Sequence, residues 1–395
     1  MNTVHDEGLR QPEKYAAAPA ITKTFCDTAM QHILTKIDAN LEPFTSKFPA
    51  PASERNVYPA IDNTQWTSSF WTGMLWLAYE VTGAAKYRRV AEIHLDNFQQ
   101  RLDTKLRIDT HDLGFLYTLS CVAADRLTGN AAARRTALQA ADHLLTRYFE
   151  KAGIIQAWGD SNDPAMRGRM IVDCLMNLPL LYWASQMTGD RRYADAAYRH
   201  AQQTANYIVR PDASTYHTFY MDVITGEPKF GKTHQGYADD SCWARGQAWA
   251  LYGFPLSYAY TGDEQFISLA KKLAHYFLNR LPDDTVCYWD LIFTAGPEER
   301  DSSAAAIAAC GLLELAKQLP LTDPTKAAYE QAAGQIIASL AERYTTVNYP
   351  AANGVLRHAV YNKPAGVGVD ECCIWGDYFY FEALVRLSRV WKMYW

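Results

Sequence analysis

The chain has 395 residues, 49% of them hydrophobic and 13% aromatic, with a formal net charge of −5. A surface of that sign repels polyanions, which argues against nucleic acid and anionic membranes as partners, while a single well-placed arginine can still hold a small carboxylate. The hydrophobic share is ample for a large core, and no run of about 18 apolar residues is present to span a bilayer.

Residues 1–20 lack the apolar stretch of a secretory signal and read as an N-terminal extension, so a cytoplasmic location is expected. The eight cysteines, at 26, 121, 174, 242, 287, 310, 372 and 373, form no C-x-x-C pair. Most fall in apolar runs, where a cysteine acts as a small buried hydrophobe, and a reducing compartment fits. The 25 Tyr and 11 Trp exceed what a core alone usually asks for. Such rings line concave sites, and sugars suit them because their C–H faces are apolar and their hydroxyls are not.

From residue 21 the chain reads as a single domain, 21–395, organised by a repeat. An amphipathic helix over 21–40 comes first. Then a mainly apolar helix, a Thr-Gly turn and an amphipathic helix recur, as VTGAAKYRRVAEIHL from Val81, LTGNAAARRTALQAADHLL from Leu127, MTGDRRYADAAYRHAQQ from Met187 and YTGDEQFISLAKKLAHYFL from Tyr260, with a degenerate copy from Leu321. Gly83, Gly129, Gly189 and Gly262 stand where a helix ends in the left-handed region, and Asp190 and Asp263 are placed to cap the next one. The helices before the turns, over 66–81, 112–127, 170–187, 241–260, 302–319 and 371–391, are apolar nearly all round and therefore buried on both sides. Six buried inner helices alternating with six outer ones predict an all-α fold, an (α/α)6 barrel. An open solenoid competes, but repeats of unequal length and long acidic, aromatic connections favour closure.

Alternating helix directions bring the loops entering the inner helices to one end. Those loops hold the unusual residues: Asp62 to Trp66, Asp109 to Asp112, Gln156 to Asp160, Lys232 to Trp249, Glu299 to Ser303 and Val369 to Glu371. Asp301 and Asp370 read as helix caps. For Asp112 a cap and a functional role both stay open. Asp173 differs, being a lone carboxylate between Met170-Ile171-Val172 and Cys174-Leu175-Met176. Burial keeps such a group protonated, as a general acid near neutral pH requires. Arg245, between Trp243 and Trp249, reads either as a structural ion pair with Asp239 or Asp240 or as a clamp for a substrate carboxylate. His111, His217 and His234 lack metalloprotease-like spacing, and no phosphate loop, dinucleotide motif or nucleophile elbow occurs, so no metal or cofactor is expected. Carbohydrate chemistry on carboxylates follows, and the residues alone leave the reaction open.

Four segments carry a resemblance: His111-Asp112-Leu113-Gly114-Phe115, the stretch bearing Asp173, GYADDSCWARGQAW from Gly236, and GVDECCIWGDYFYFEAL from Gly368. With the 61-residue interval from Asp112 to Asp173, the sequence resembles the unsaturated glucuronyl hydrolases of glycoside hydrolase family 88. The resemblance implies removal of a terminal 4,5-unsaturated uronic acid from di- or oligosaccharides left by polysaccharide lyases, by hydration of the C4=C5 enol ether. It implies Asp173 as the general acid and base and Asp112 as the group holding the sugar, oriented by His111. Trp66 and Trp158 look like stacking platforms, with His217, Gln235, Arg245 and Trp249 around the uronate. Some members carry Ser and Lys that favour sulfated sugars in the segment Tyr361 to Gly366, where this sequence departs from that pattern and only Asn362 and Lys363 offer anything comparable, so the resemblance implies no preference for sulfated substrates. A related rhamnogalacturonyl hydrolase, a sugar epimerase using histidines such as His358, and a helical-repeat binding scaffold are the competing readings.

Overall fold

The computed structural model describes residues 3–16 and 21–395. Residues 1, 2 and 17–20, which belong to the expected extension, lie outside the described residues.

The chain is predominantly helical, and the six-fold alternation is present among the described residues. The outer set comprises Lys23–Asn40, Ala85–Asp103, Ala131–Leu145, Arg191–Gln203, Glu264–Leu278 and Lys326–Ser339. The inner set comprises Ser68–Thr82, the run Leu113–Tyr117 through Ala123–Thr128, Leu178–Thr188, Ala244–Thr261, Ser302–Gln318 and Ile374–Ser388. The inner helices are buried over most of their length, all round, and emerge only toward their ends, as their apolar pattern requires.

Helix ends follow the local code. Gly83, Gly129, Gly189 and Gly262 close their helices at φ of 71°, 68°, 76° and 68°, a region that costs glycine nothing and other residues about 1 kcal/mol. Asp190 and Asp263 accept the backbone N–H of Arg192 and Gln265, as their position after the glycine predicts. Asp301 caps Ser302–Gln318 through Ser303 and Ala304.

Each inner helix packs on the next in chain order, and Ile374–Ser388 packs back on Ser68–Thr82. The eight cysteines are buried and unbridged. No helix among the described residues is long and apolar enough to cross a membrane. Residues 3–16 lie along Glu264–Leu278, tied by Asp6 to His275 at 2.7 Å, Glu7 to Arg280 at 2.6 Å and Tyr15 to the Leu278 carbonyl at 3.0 Å.

Two expectations fail at the polar end. The third inner helix does not start at 170. Arg169–Ile171 is a strand paired with Thr218–Met221, which in turn pairs with Pro228–Lys232, and Val172–Met176 is a tight 3-10 turn leading into Leu178–Thr188. Met170-Ile171-Val172 is an apolar run of β-branched character, and periodicity alone does not separate a short buried strand from a helix start. Asp370 is not a cap. It lies in the strand Val367–Glu371, paired with Ala359–Asn362, at φ of 61° and with its carboxylate on His358. The helix it was expected to cap starts at Ile374 behind Cys373, with no side-chain cap.

Candidate active site

The loops and strands that precede the inner helices enclose a cavity of about 340 Å³. Eight of the nine expected site residues line it: Trp66, His111, Asp112, Trp158, Asp173, His217, Gln235 and Arg245. Ile171, His234, Tyr361 and Asn362 complete the wall. The ninth, Trp249, is fully buried away from the cavity, packed at 5.2 Å on Phe115 and 5.4 Å on Phe379. It lies four residues, about one helical turn, beyond Arg245, the last position of its segment that reaches the wall, and its ring fills the core beneath the site.

Asp112 and Asp173 come from different elements and are held in register by Asn177. The side-chain carbonyl of Asn177 accepts the Phe115 N–H at 2.6 Å, and its amide donates to the Asp173 carbonyl at 3.2 Å. The approach needs Gly114, because a Cβ there would lie 2.2 Å from the Asn177 Cα. A glycine between two apolar residues and an asparagine in the run MNLPLL were the signals available in sequence; neither identifies the partner.

The two carboxyls have opposite surroundings. Asp112 accepts the Thr110 hydroxyl at 2.7 Å and sits 3.3 Å from His111 Nε2. Burial works to protonate it, but His111, Thr110 and Arg101 outweigh that and hold it below the usual carboxylate range. Asp173 Oδ1 is buried with no partner. Burial pushes this carboxyl up to about 7; the charges of His111 and Arg245 oppose the rise and the Asp112 anion adds to it. One anion and one readily protonated acid therefore share the cavity, the separation of roles by environment that acid–base catalysis uses.

His217 has a fixed tautomer. Its Nδ1 accepts the backbone N–H of His234 at 3.1 Å and of Gln235 at 3.2 Å, so the ring proton must reside on Nε2. Burial keeps the imidazole neutral, well below its ordinary range. Trp66 stacks on Trp375 at 5.2 Å and donates its indole N–H to the Tyr361 hydroxyl at 3.2 Å. Trp158 is the half-exposed ring, backed by the Arg169 guanidinium at 3.7 Å from its centroid.

Arg245 is fully buried and pairs with Asp301 at 3.3 Å, not with Asp239 or Asp240. It also donates to the carbonyls of Val360 and Tyr361 and to Gln235 Oε1 at 3.2 Å, leaving Nε without a partner. The expected partners lie elsewhere: Asp239 accepts the Thr233 N–H at 2.8 Å. Asp301 thus caps a helix with one oxygen and holds Arg245 with the other, and only the fold shows the second role. Asp290, which sequence reasoning passed over, gathers the Tyr237 and Cys242 N–H groups and the Ser241 hydroxyl at 2.7–3.2 Å and so fixes the loop that carries Gln235. His358, a candidate histidine for an epimerase, lines a separate depression with Asp370 and Arg343.

The chain matches the family model described as Glycosyl Hydrolase Family 88 over residues 42–384. It is 47% identical to the unsaturated chondroitin disaccharide hydrolase of Streptococcus pneumoniae, over 98% of each chain. Its fold superposes on a crystal structure of unsaturated glucuronyl hydrolase from Streptococcus agalactiae with a TM-score of 0.98, at 44% identity and with full coverage of both chains. A mutant of that enzyme complexed with dGlcA-GalNAc6S gives a TM-score of 0.90 at 42% identity, again over both full chains. With a cavity built on two contrasted carboxyls and similarity along its whole length, the chain belongs to glycoside hydrolase family 88.

Proposed function

We propose that this protein removes the terminal 4,5-unsaturated uronic acid from lyase-generated, glycosaminoglycan-derived di- and oligosaccharides, and that its helices form an (α/α)6 barrel with the cavity at one end. The barrel reading is supported by the inner helices touching in sequence and the last touching the first. The catalytic reading rests above all on Asp173, whose unpaired buried Oδ1 belongs to a carboxyl pushed up to about 7 beside an ionised Asp112.

In this mechanism the Asp173 carboxyl protonates C4 of the C4=C5 enol ether, and positive charge spreads over C5 and the ring oxygen. The carboxylate left behind takes a proton from the water that attacks C5. The resulting hemiketal opens at the ring oxygen, and the hemiacetal exposed at C1 releases the remaining sugar. One residue serves as acid and then base, so no second carboxyl is needed at glycosidase spacing. Asp112, held ionised, binds the uronate hydroxyls. The His217 Nε2–H and the Gln235 amide N–H groups are donors for the uronate, and Arg245 Nε is the guanidinium position left for its carboxylate. Trp66 and Trp158 supply the apolar faces on which the rings stack.

The test is incubation with an unsaturated chondroitin disaccharide while following the ultraviolet absorbance of its conjugated double bond. Decay is expected, and Asp173→Asn should retain binding while losing on the order of 10³-fold or more in kcat. Stable absorbance with every unsaturated uronide tried overturns the reading.

A further inference from the structure

Asp112 is only 8% exposed, and an anion so placed needs a cation or it reverts to the acid. Arg101 and Arg147 act on it from nearby and Arg245 shares its cavity, but none of the three pairs with it. Arg245 is taken by Asp301 and the Val360 and Tyr361 carbonyls. The Arg101 guanidinium is spent on Asn63 Oδ1 and the carbonyls of Gln65, Leu106 and Arg107 at 2.8–3.1 Å. Arg147 serves the carbonyls of Gln156, Ala157 and Gly159. Among the described residues, the group in ion-pair contact with Asp112 is His111, its Nε2 3.3 Å from Oδ1. The ring is 1% exposed, lines the cavity, and keeps its Nδ1 buried without a hydrogen-bond partner.

We propose that His111 is the buried cation of this site, a positioning residue whose positive charge is shared by both carboxyls: it holds Asp112 ionised to grip the sugar and keeps the Asp173 proton transferable. Every other titratable neighbour is consistent with that assignment. Asp112 faces the ring from its own loop, Asp173 and Cys174 from the turn Val172–Met176, His200 from the helix Arg191–Gln203 and His217 from the strand entry. Burial holds His200 and His217 neutral and raises the Cys174 thiol, so none of them supplies the charge. Burial would strip His111 of its proton too, but the Asp112 carboxylate prevails and lifts the ring up to about 10. The same positive charge restrains the rise that burial imposes on Asp173. With the cation removed, both carboxyls would bind protons more tightly, Asp112 losing its grip and Asp173 its ability to become a base.

This inference rests on Asp173 being the acid, and its first test does not. Nitrogen-15 NMR of the folded protein at pH 8 should show one histidine ring protonated on both nitrogens, absent from His111→Gln and titrating below pH 7 in Asp112→Asn. A neutral His111 ring at pH 8 in the native protein overturns the proposal whether or not the variants fold. The second test is the pH profile of kcat/KM on an unsaturated disaccharide. In His111→Gln both limbs should move to higher pH by roughly one unit, the size expected for losing an adjacent charge. Lower activity on an unmoved profile would reduce His111 to a packing residue and refute its electrostatic role. Should the native protein leave every unsaturated uronide intact, the proposed reaction falls while the NMR result still decides the charge of the ring.

Discussion

Replacing Asp173 by Asn should make the protein more stable and less active, and the gain in stability should depend on pH. The folded carboxyl titrates at about 7, against an ordinary value of 3.8. Below pH 4 the group is protonated in both the folded and unfolded chain, and it carries no penalty. From there to pH 7 the unfolded chain ionises Asp173 while the fold does not allow it, so stability is lost at about 1.4 kcal/mol per pH unit. The loss levels off above pH 7, when the folded carboxyl ionises as well, at about 3–4 kcal/mol after allowing for its coupling to Asp112 and His111. Asparagine has nearly the same shape and cannot ionise, so Asp173→Asn escapes this penalty. Urea unfolding of both proteins at pH 4.5 and pH 8 measures it, because the difference between the two pH values cancels any pH-independent effect of the substitution. In a thermal melt the same gain is about 4 °C for a chain of this length. A stability difference that stays constant between the two pH values would show that Asp173 is solvated as an ordinary carboxylate, and the general-acid argument would lose its basis.

Four further outcomes are expected. Gly114→Ala puts a Cβ 2.2 Å from the Asn177 Cα; the forced separation of Asp112 from Asp173 should lower kcat about 100-fold and cost roughly 2–3 kcal/mol, measured by steady-state kinetics and thermal melts. The kcat/KM of the native protein should fall as pH rises through about 7, where the Asp173 carboxyl loses its proton; a profile flat to pH 9 would contradict this. Trp158→Ala should raise KM, whereas Trp249→Phe, a change within the core, should leave KM unaltered and lower the melting temperature, since Trp249 touches Phe115 and Phe379 but not the cavity. Tyr58→Phe removes a 2.9 Å hydrogen bond to the buried Asp377 and should cost about 1–3 kcal/mol in a urea melt, with the pH dependence of stability altered near 7, up to which burial pushes Asp377.

Much of the site was legible because its residues break local patterns. Asp173 stands alone among apolar neighbours, and Arg245 stands among tryptophans. Polar and aromatic residues crowd the entries to helices whose remaining length is apolar. Eight of nine expected residues line one cavity for that reason. The missed ones carry no such mark. Ile171 reads as one more apolar residue of the expected helix over 170–187 and Tyr361 as an ordinary aromatic, while Asn177 ties Asp173 to Phe115, 62 positions from it, and Asp290 holds groups 48 to 53 positions away. Trp249 belongs to the same aromatic segment and shares a helix face with Arg245, yet it lies one turn farther along, where its ring is buried against Phe115 and Phe379 and does not reach the cavity.

The helical repeat, its glycine-closed helix ends and the aspartate caps that follow them were determined by the sequence itself. A 3.6-residue apolar period, a glycine able to turn left-handed and a short acidic cap act within one or two turns, so they can be read without knowing the fold. Tertiary structure decided everything that depends on contact between distant segments. It turned Met170–Val172 from a helix start into a strand and turn by giving Arg169–Ile171 a partner strand at Thr218–Met221. It paired Arg245 with Asp301 across 56 positions and withheld the nearer aspartates. Above all it set the charges of His111, Asp112 and Asp173, because a protonation state depends on burial and on the nearest opposite charge, and neither is fixed until the chain has closed around them.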